Sequence, residues 1–266
     1  STPFALTAPA SDVDAGDVLT WCWEQMDAQI ATMPPVATST GGPLFRSYDP
    51  VASPTRYFPR LPDLVANATN QWEKLPSVAR TMNFRVVVRD NHPGGGCTAE
   101  DNVQVVVAGT AGPFVVSVPN TNVIWYVGEA QTVTWSVAGT DASPVNCANV
   151  RILLSTDGGY TYPVVLAENV PNNGSSVVTV PNNIATTCRV KVESVGNVFY
   201  DISNTNFRIQ APVVPTFVLS SSASAGAVCS GETASFTLTA TSLAGITTPA
   251  NIVIAGAPAA DVVQVS

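Results

Sequence analysis

The chain is patterned with a period of two. Phe84–Arg89, Val103–Val107, Thr132–Val137, Val150–Leu154, Ser176–Val180 and Arg189–Glu193 mix β-branched residues with alternating polar ones, and each run is bounded by Gly, Pro, Asn or Asp. Phe4–Ala8 and Leu19–Trp23 read as two further strands. No stretch repeats apolar residues at i, i+3, i+4 and i+7, so no long helix is expected. Short strands at close spacing predict an all-β chain of tandem immunoglobulin-like β-sandwiches. Val105–Val107 and Ile152–Leu154 are continuously apolar, which is expected of strands covered on both faces or lying near a domain junction.

Two joints divide this pattern. Ala108–Phe114 is a small-residue stretch between strands, and Ile209–Phe217 contains two prolines that stiffen a short linker. The expected domains are therefore 1–111, 112–210 and 211–266. The last is too short for a closed sandwich. Its strand-like runs are Thr216–Ser220, Ala234–Ala240, Ala250–Ile254 and Val262–Val265, and unclosed edges suggest a third domain of which this is the N-terminal part. Within the first domain, residues 33–76 are dense in proline and lack alternation. That stretch reads as a long ordered excursion, either a flap over an open sheet face or a functional loop.

Composition sharpens the class. Only 11% of residues are charged, and 21 prolines and 18 glycines are spread along the chain. A single histidine, His92, leaves too few imidazoles for zinc hydrolysis of the His-Glu-x-x-His type. His92 is followed by Pro93 and three glycines, a hairpin tip rather than a water-excluding pocket, so no catalytic residue is assigned. A net charge of −8 with no basic run argues against nucleic acid, and no apolar stretch is long enough for a membrane span.

Three groups of residues invite a chemical reading. Ser11–Asp17 sets Asp12, Asp14 and Asp17 in a tight loop with Gly16, and Asp90 follows a strand that can pair nearby. Such oxygen donors suit a structural calcium ion, although a solvated turn whose aspartates cap backbone amides has the same composition. Five cysteines without a C-x-x-C pair read as disulfides and suggest an extracellular, oxidising location. Pairing within domains joins Cys22 to Cys97 and Cys147 to Cys188, leaving the partner of Cys229 outside the sequence. Trp21 and Trp23 share one strand face, as core residues beside Cys22 or as a platform for sugar rings.

The combination of Leu19–Asp27, Gly42–Ser47, Arg56–Pro59, Asn83–Asn91 and Ala111–Phe114 resembles the region that follows the catalytic domain in secreted, reprolysin-like zinc metallopeptidases of Bacteroidetes-type bacteria. Thr132–Trp135, Leu154–Gly159, Val170–Ser175 and Phe199–Asn204 continue the resemblance, which covers roughly residues 4 to 209. Residues 4 to 30 are also similar to the opening of cadherin-like and polycystic-kidney-disease-type repeats, with Ala15–Gly16 where those repeats have glycine alone. The second domain resembles the immunoglobulin-like domain of fungal Ser/Thr-rich cell-wall proteins. The third, through Val228–Gly231, resembles the start of another secreted-protein repeat.

The resemblance implies a parent enzyme that cleaves proteins with a zinc-bound water. None of that family's metal ligands, nor its general-base glutamate, lies in this chain. The function expected is a non-catalytic accessory region that spaces, stabilises or docks the catalytic domain, its expected partner. The alternative is a module that binds carbohydrate or protein at a cell surface.

Overall fold

Five strands and one helical turn make the first sandwich: β1 (Phe4–Thr7), β2 (Thr20–Gln25), β3 (Thr55–Phe58), α1 (Leu61–Val65), β4 (Arg80–Arg89) and β5 (Thr98–Val107). The computed structural model describes residues 1–14, 16–213, 216–221 and 238–243. β2, β4 and β5 form one antiparallel sheet in that order, and β1 pairs with β3 in a second. Alternation sends Trp21 and Trp23 of β2, and Met82, Phe84 and Val86 of β4, toward Phe4, Leu6 and Phe58 of the opposite sheet. Phe4 stacks on Phe58 at 4.7 Å between ring centroids, and Phe45 and Phe84 close around the pair.

The proline-dense excursion is part of this core. It supplies β3 together with the buried Leu44 and Phe45, which face the sheet where a further strand would otherwise lie. Gln25 Oε1 accepts the backbone N–H groups of Leu44 and Phe45 at 2.7 and 3.1 Å, standing in for a strand neighbour. Buried Arg80 donates to the carbonyls of Ser39 and Gly42 and lies 3.6 Å from Asp27. The excursion thus covers an open sheet face.

The second sandwich contains β6 (Val115–Val118), β7 (Ile124–Tyr126), β8 (Ala130–Ser136), β9 (Asn149–Ser155), β10 (Val164–Pro171), β11 (Ser175–Thr179), β12 (Ala185–Ser194), β13 (Tyr200–Ile202) and β14 (Phe207–Gln210). One sheet runs β11-β8-β6; the other runs β10-β9-β12-β14-β7, with β13 also paired to β12. β7 lies parallel to β14, and the other pairs are antiparallel. Ile152–Leu154 is buried throughout, as its continuous apolar pattern predicts. Val105–Val107 follows the other expectation, a place near the junction: β5 is an outer strand and Val106 is 74% exposed, but the three residues line a cavity with Thr140, Pro144 and Val145 of the second sandwich. Buried Asn172 satisfies three groups at once, accepting from Trp135 Nε1 and donating to Thr140 Oγ1 and the Cys147 carbonyl.

Apart from α1 the described elements are all strands, residues 1–210 form two β-sandwiches, and the chain divides into two compact units, Ser1–Gln210 and Ala211–Ser266. The joint near residue 111 lies inside the first unit, and strand pairing changes sandwich there. In the second unit β15 (Thr216–Ser221) pairs antiparallel with β16 (Leu238–Leu243). The expected strands at 250–254 and 262–265, and Cys229, lie outside the described residues.

Candidate functional site

The two sandwiches of the first unit are interlocked by the N-terminal strand. Phe4 bridges to Phe199, the Ala5 N–H donates to the Val198 carbonyl at 2.9 Å, and the Tyr200 N–H donates to the Pro3 carbonyl at 3.0 Å. β1 therefore pairs with β3 on one side and with the segment leading into β13 on the other. Thr2 Oγ1 accepts the Phe114 N–H at 2.9 Å, where Gly112 passes with φ of 89°. That left-handed conformation favours glycine, and it lets the chain turn tightly from one sandwich into the next.

A second set of contacts continues this seam through Tyr200. Val65 of α1, Tyr200 and Ile202 form a small core with Tyr57, Leu61, Leu64 and Tyr162 at its rim. Arg189 spreads its guanidinium across the seam, donating to Asn206 Oδ1 at 2.6 Å, to the Ser203 carbonyl at 2.7 Å and to the Val65 carbonyl at 3.1 Å. Beside it, a cleft of about 440 Å³ is lined by Tyr57, Tyr162, Arg151, Lys191 and Glu193, among others. Lys191 Nζ lies 4.9 Å from the Tyr162 ring, 5.8 Å from Tyr200 and 6.0 Å from Tyr57, and pairs with Glu193 at 2.6 Å. Arg151 also pairs with Glu193. Burial pushes the phenols of Tyr57, Tyr162 and Tyr200 up, so the rings stay neutral around the ammonium.

Asp201 braces the second sandwich beside the junction. Its carboxyl, 8% exposed, accepts the Val116 N–H at 2.7 Å and so ties the start of the second sandwich to β13. Burial pushes its pKa up to about 7, against the opposing pull of the Val116 and Ile202 backbone N–H groups.

The aspartates singled out by sequence do converge, in two overlapping groups. Oxygens of Asp12, Asp17 and Asp90 lie within 4.8 Å of one another, and Asp14 groups instead with Asp17 and His92. Ligands about 2.3–2.6 Å from one calcium ion are at most about 5 Å apart, so the hard-oxygen group fits that ion as a partial donor set. Asp90 is held by the N–H groups of Cys97 and His92, which pull its carboxyl below the ordinary range. The Asp17 carboxylate lies against His92, whose Nδ1 is 2.9 Å from Asp17 Oδ2; that contact raises the imidazole pKa. No local spacing signals the His92–Asp17 pairing, because the two residues meet only where the β4–β5 hairpin reaches the loop before β2.

Of the two readings of the tryptophans the core one holds, and the disulfide expectation is corrected. Trp21 and Trp23 are buried, at 8% and 6% exposure, and their indole N–H groups donate to the carbonyls of Ala8 and Pro54. They form core, and no face remains for a sugar ring. Cys22, Cys97, Cys147 and Cys188 are free thiols. Cys22 lies opposite Val87 on β2, whereas Cys97 precedes β5 on the far side of β4. Cys147 precedes β9 at the end that meets Val195, and Cys188 sits at the opposite end of β12 beside Phe207. At about 3.3 Å per residue the latter pair is roughly 20 Å apart, far beyond the roughly 7 Å that a disulfide spans between Cα atoms.

No family model and no curated protein matches the chain. Among solved structures, it is similar to a chimeric titin Z1Z2-Z1Z2 tandem functionalised with a GRGDS peptide from fibronectin, at 12% identity and a TM-score of 0.25, over 79% of this chain and 92% of that one.

Proposed function

We propose that this chain is a non-catalytic accessory region of a secreted bacterial zinc metallopeptidase, in which residues 1–210 serve as a stiff spacer that sets the position of the catalytic domain. The observation that carries this reading is the seam between the sandwiches: the Pro3–Ala5 segment hydrogen-bonded to Val198 and Tyr200, and Arg189 anchored to Val65. A spacer works by resisting bending, and a junction that combines backbone pairing with a buried guanidinium resists it. The parentage rests on the motif resemblance spanning roughly residues 4 to 209.

Calcium would be held by Asp12, Asp17 and Asp90, pinning the β4–β5 hairpin to the loop before β2 at one end of the spacer. Its contribution there is cross-linking by charge, with no chemical step. An extracellular location follows from the parentage, since the four described thiols do not require an oxidising compartment.

The reading frame around the coding sequence tests the parentage. A His-Glu-x-x-His motif upstream in the same frame is expected. A frame that encodes no metallopeptidase domain contradicts it.

A further inference from the structure

The second sandwich carries a cleft on the outer face of β14. Phe207 and Ile209 point into the core there, and Arg208 between them points out. Because β14 runs parallel to β7, the Arg208 N–H donates to the Val123 carbonyl at 2.9 Å, and Asn122 lines the cleft with Arg208. Opposite β14, β12 slips register between Ala185 and Cys188, and that bulge places Thr186 in the same lining. The turn between β13 and β14 supplies Asn204 and Asn206. Asn204 is fixed through its backbone, its N–H donating to Asn120 Oδ1 at 2.6 Å and its carbonyl accepting Asn67 Nδ2 at 2.8 Å. Asn206 Oδ1 accepts Arg189 Nε at 2.6 Å, which leaves its Nδ2 as the free donor. The enclosed volume is about 410 Å³, the scale of a small-ligand site.

The lining holds two guanidiniums, Arg189 and Arg208, and no carboxylate, a local reversal of sign in a chain of net charge −8. Buried Arg80 lies 3.6 Å from Asp27, whereas buried Arg189 bonds only to uncharged oxygens, those of Asn206, Ser203 and Val65. Among the described residues no carboxylate pairs with Arg189 or Arg208. A cation held out of water without a counter-charge attracts an anion to the surface nearest it, since the protein around it screens poorly. The uncharged lining narrows the anion. Carboxamides and a hydroxyl donate and accept, as sugar hydroxyls require, and a guanidinium fork matches a carboxylate. No aromatic residue lines the cleft, so a neutral sugar finds no ring to stack on.

We propose that this cleft binds an acidic sugar residue, its carboxylate paired with Arg208 in the field of Arg189 and its hydroxyls bonded to Asn122, Asn204 and Asn206. The site is separate from the strand that carries Trp21 and Trp23; it goes beyond the spacer reading and does not depend on the parentage.

Amide chemical shifts of the full chain test it, with glucuronate, galacturonate and N-acetylneuraminate as probes and galactose, acetate and inorganic phosphate as comparisons. An acidic sugar is expected to shift the amides of Asn122 and of residues 204–208, and galactose, acetate and phosphate to bind at least about tenfold more weakly. Arg208→Ala, at an exposed position, and Asn122→Asp, which brings a carboxylate into the cleft, are each expected to weaken binding by at least about tenfold while the spectrum away from the cleft is unchanged. Arg89→Ala, an exposed arginine of the first sandwich, is expected to bind as wild type does. The proposal is overturned if none of the three acidic sugars binds, or if the shifts centre outside the cleft. It is equally overturned if acetate or phosphate binds as tightly as the sugars, or if Arg208→Ala and Asn122→Asp titrate like the wild-type chain.

Discussion

Arg189 Nη2 donates to the Val65 carbonyl at 3.1 Å, a contact between residues 124 apart in the chain that fastens α1 of the first sandwich to β12 of the second. The same guanidinium serves Ser203 and Asn206, and the residue is 6% exposed. Replacing it with alanine leaves these acceptors without a donor inside the seam. Arg189→Ala is expected to lower the unfolding free energy by roughly 3 kcal/mol in urea titration, and Arg189→Lys to recover little of it, because an ammonium cannot reach three acceptors in one plane.

Asp201 makes the first unit sensitive to pH. Its folded pKa of about 7 lies above the ordinary 3.8, so the folded state binds the proton more tightly than the unfolded chain does. The stability from this group is complete below about pH 4 and is lost as pH rises through about 7. The difference is on the order of 4 kcal/mol if the shift is fully expressed. Asp201→Asn retains an acceptor for the Val116 N–H but cannot ionise. Thermal melts of the variant are expected to lack this pH dependence and to exceed wild type at pH 8; equal slopes in both proteins would contradict the assignment.

Phe58 is fully buried and contacts Phe4, Phe45 and Phe84. Its removal leaves a cavity at the centre of a ring cluster contributed by four separate segments. Phe58→Ala is expected to cost about 3–5 kcal/mol in chemical denaturation, whereas truncating the exposed Trp72 is expected to change stability by less than about 1 kcal/mol.

The thiols provide a direct chemical check. Cys97 is exposed and is expected to react first with a thiol reagent under native conditions. Cys188, buried and pushed up to about 11 by desolvation, is expected to react only after unfolding. Peptide mapping without reduction is expected to find no Cys22–Cys97 or Cys147–Cys188 link.

Calcium is testable by melting temperature. If Asp12, Asp17 and Asp90 hold an ion, added calcium stabilises the folded chain by about 2.7 kcal/mol at a hundredfold excess over the dissociation constant. Asp17→Asn and Asp90→Asn are each expected to abolish that gain. Melts unchanged by calcium in the wild-type protein count against the site.

Alternation along the chain was enough to find β4, β8, β9 and β12, where one or both faces meet a core. β3 was hidden, since Pro54 and Pro59 flank four residues whose strand character depends on pairing with β1. The seam was hidden for a related reason. Phe4 with Phe199 and Arg189 with Val65 are long-range partners, and no local spacing records them. The aspartates were legible because their density is local, while the division into two groups depends on where the β4–β5 hairpin falls. The disulfides were misread because cysteine number and domain membership carry no register: Cys147 and Cys188 belong to one sandwich but to opposite ends of its sheet.

As a stiff spacer, residues 1–210 are expected to move as one body. Residual dipolar couplings of backbone amides in the full chain measure this directly. Couplings from residues 1–111 and from 112–210 are expected to fit a single alignment tensor with the orientations of the structure. Two tensors of different magnitude would mean that the sandwiches reorient independently, and would contradict the account.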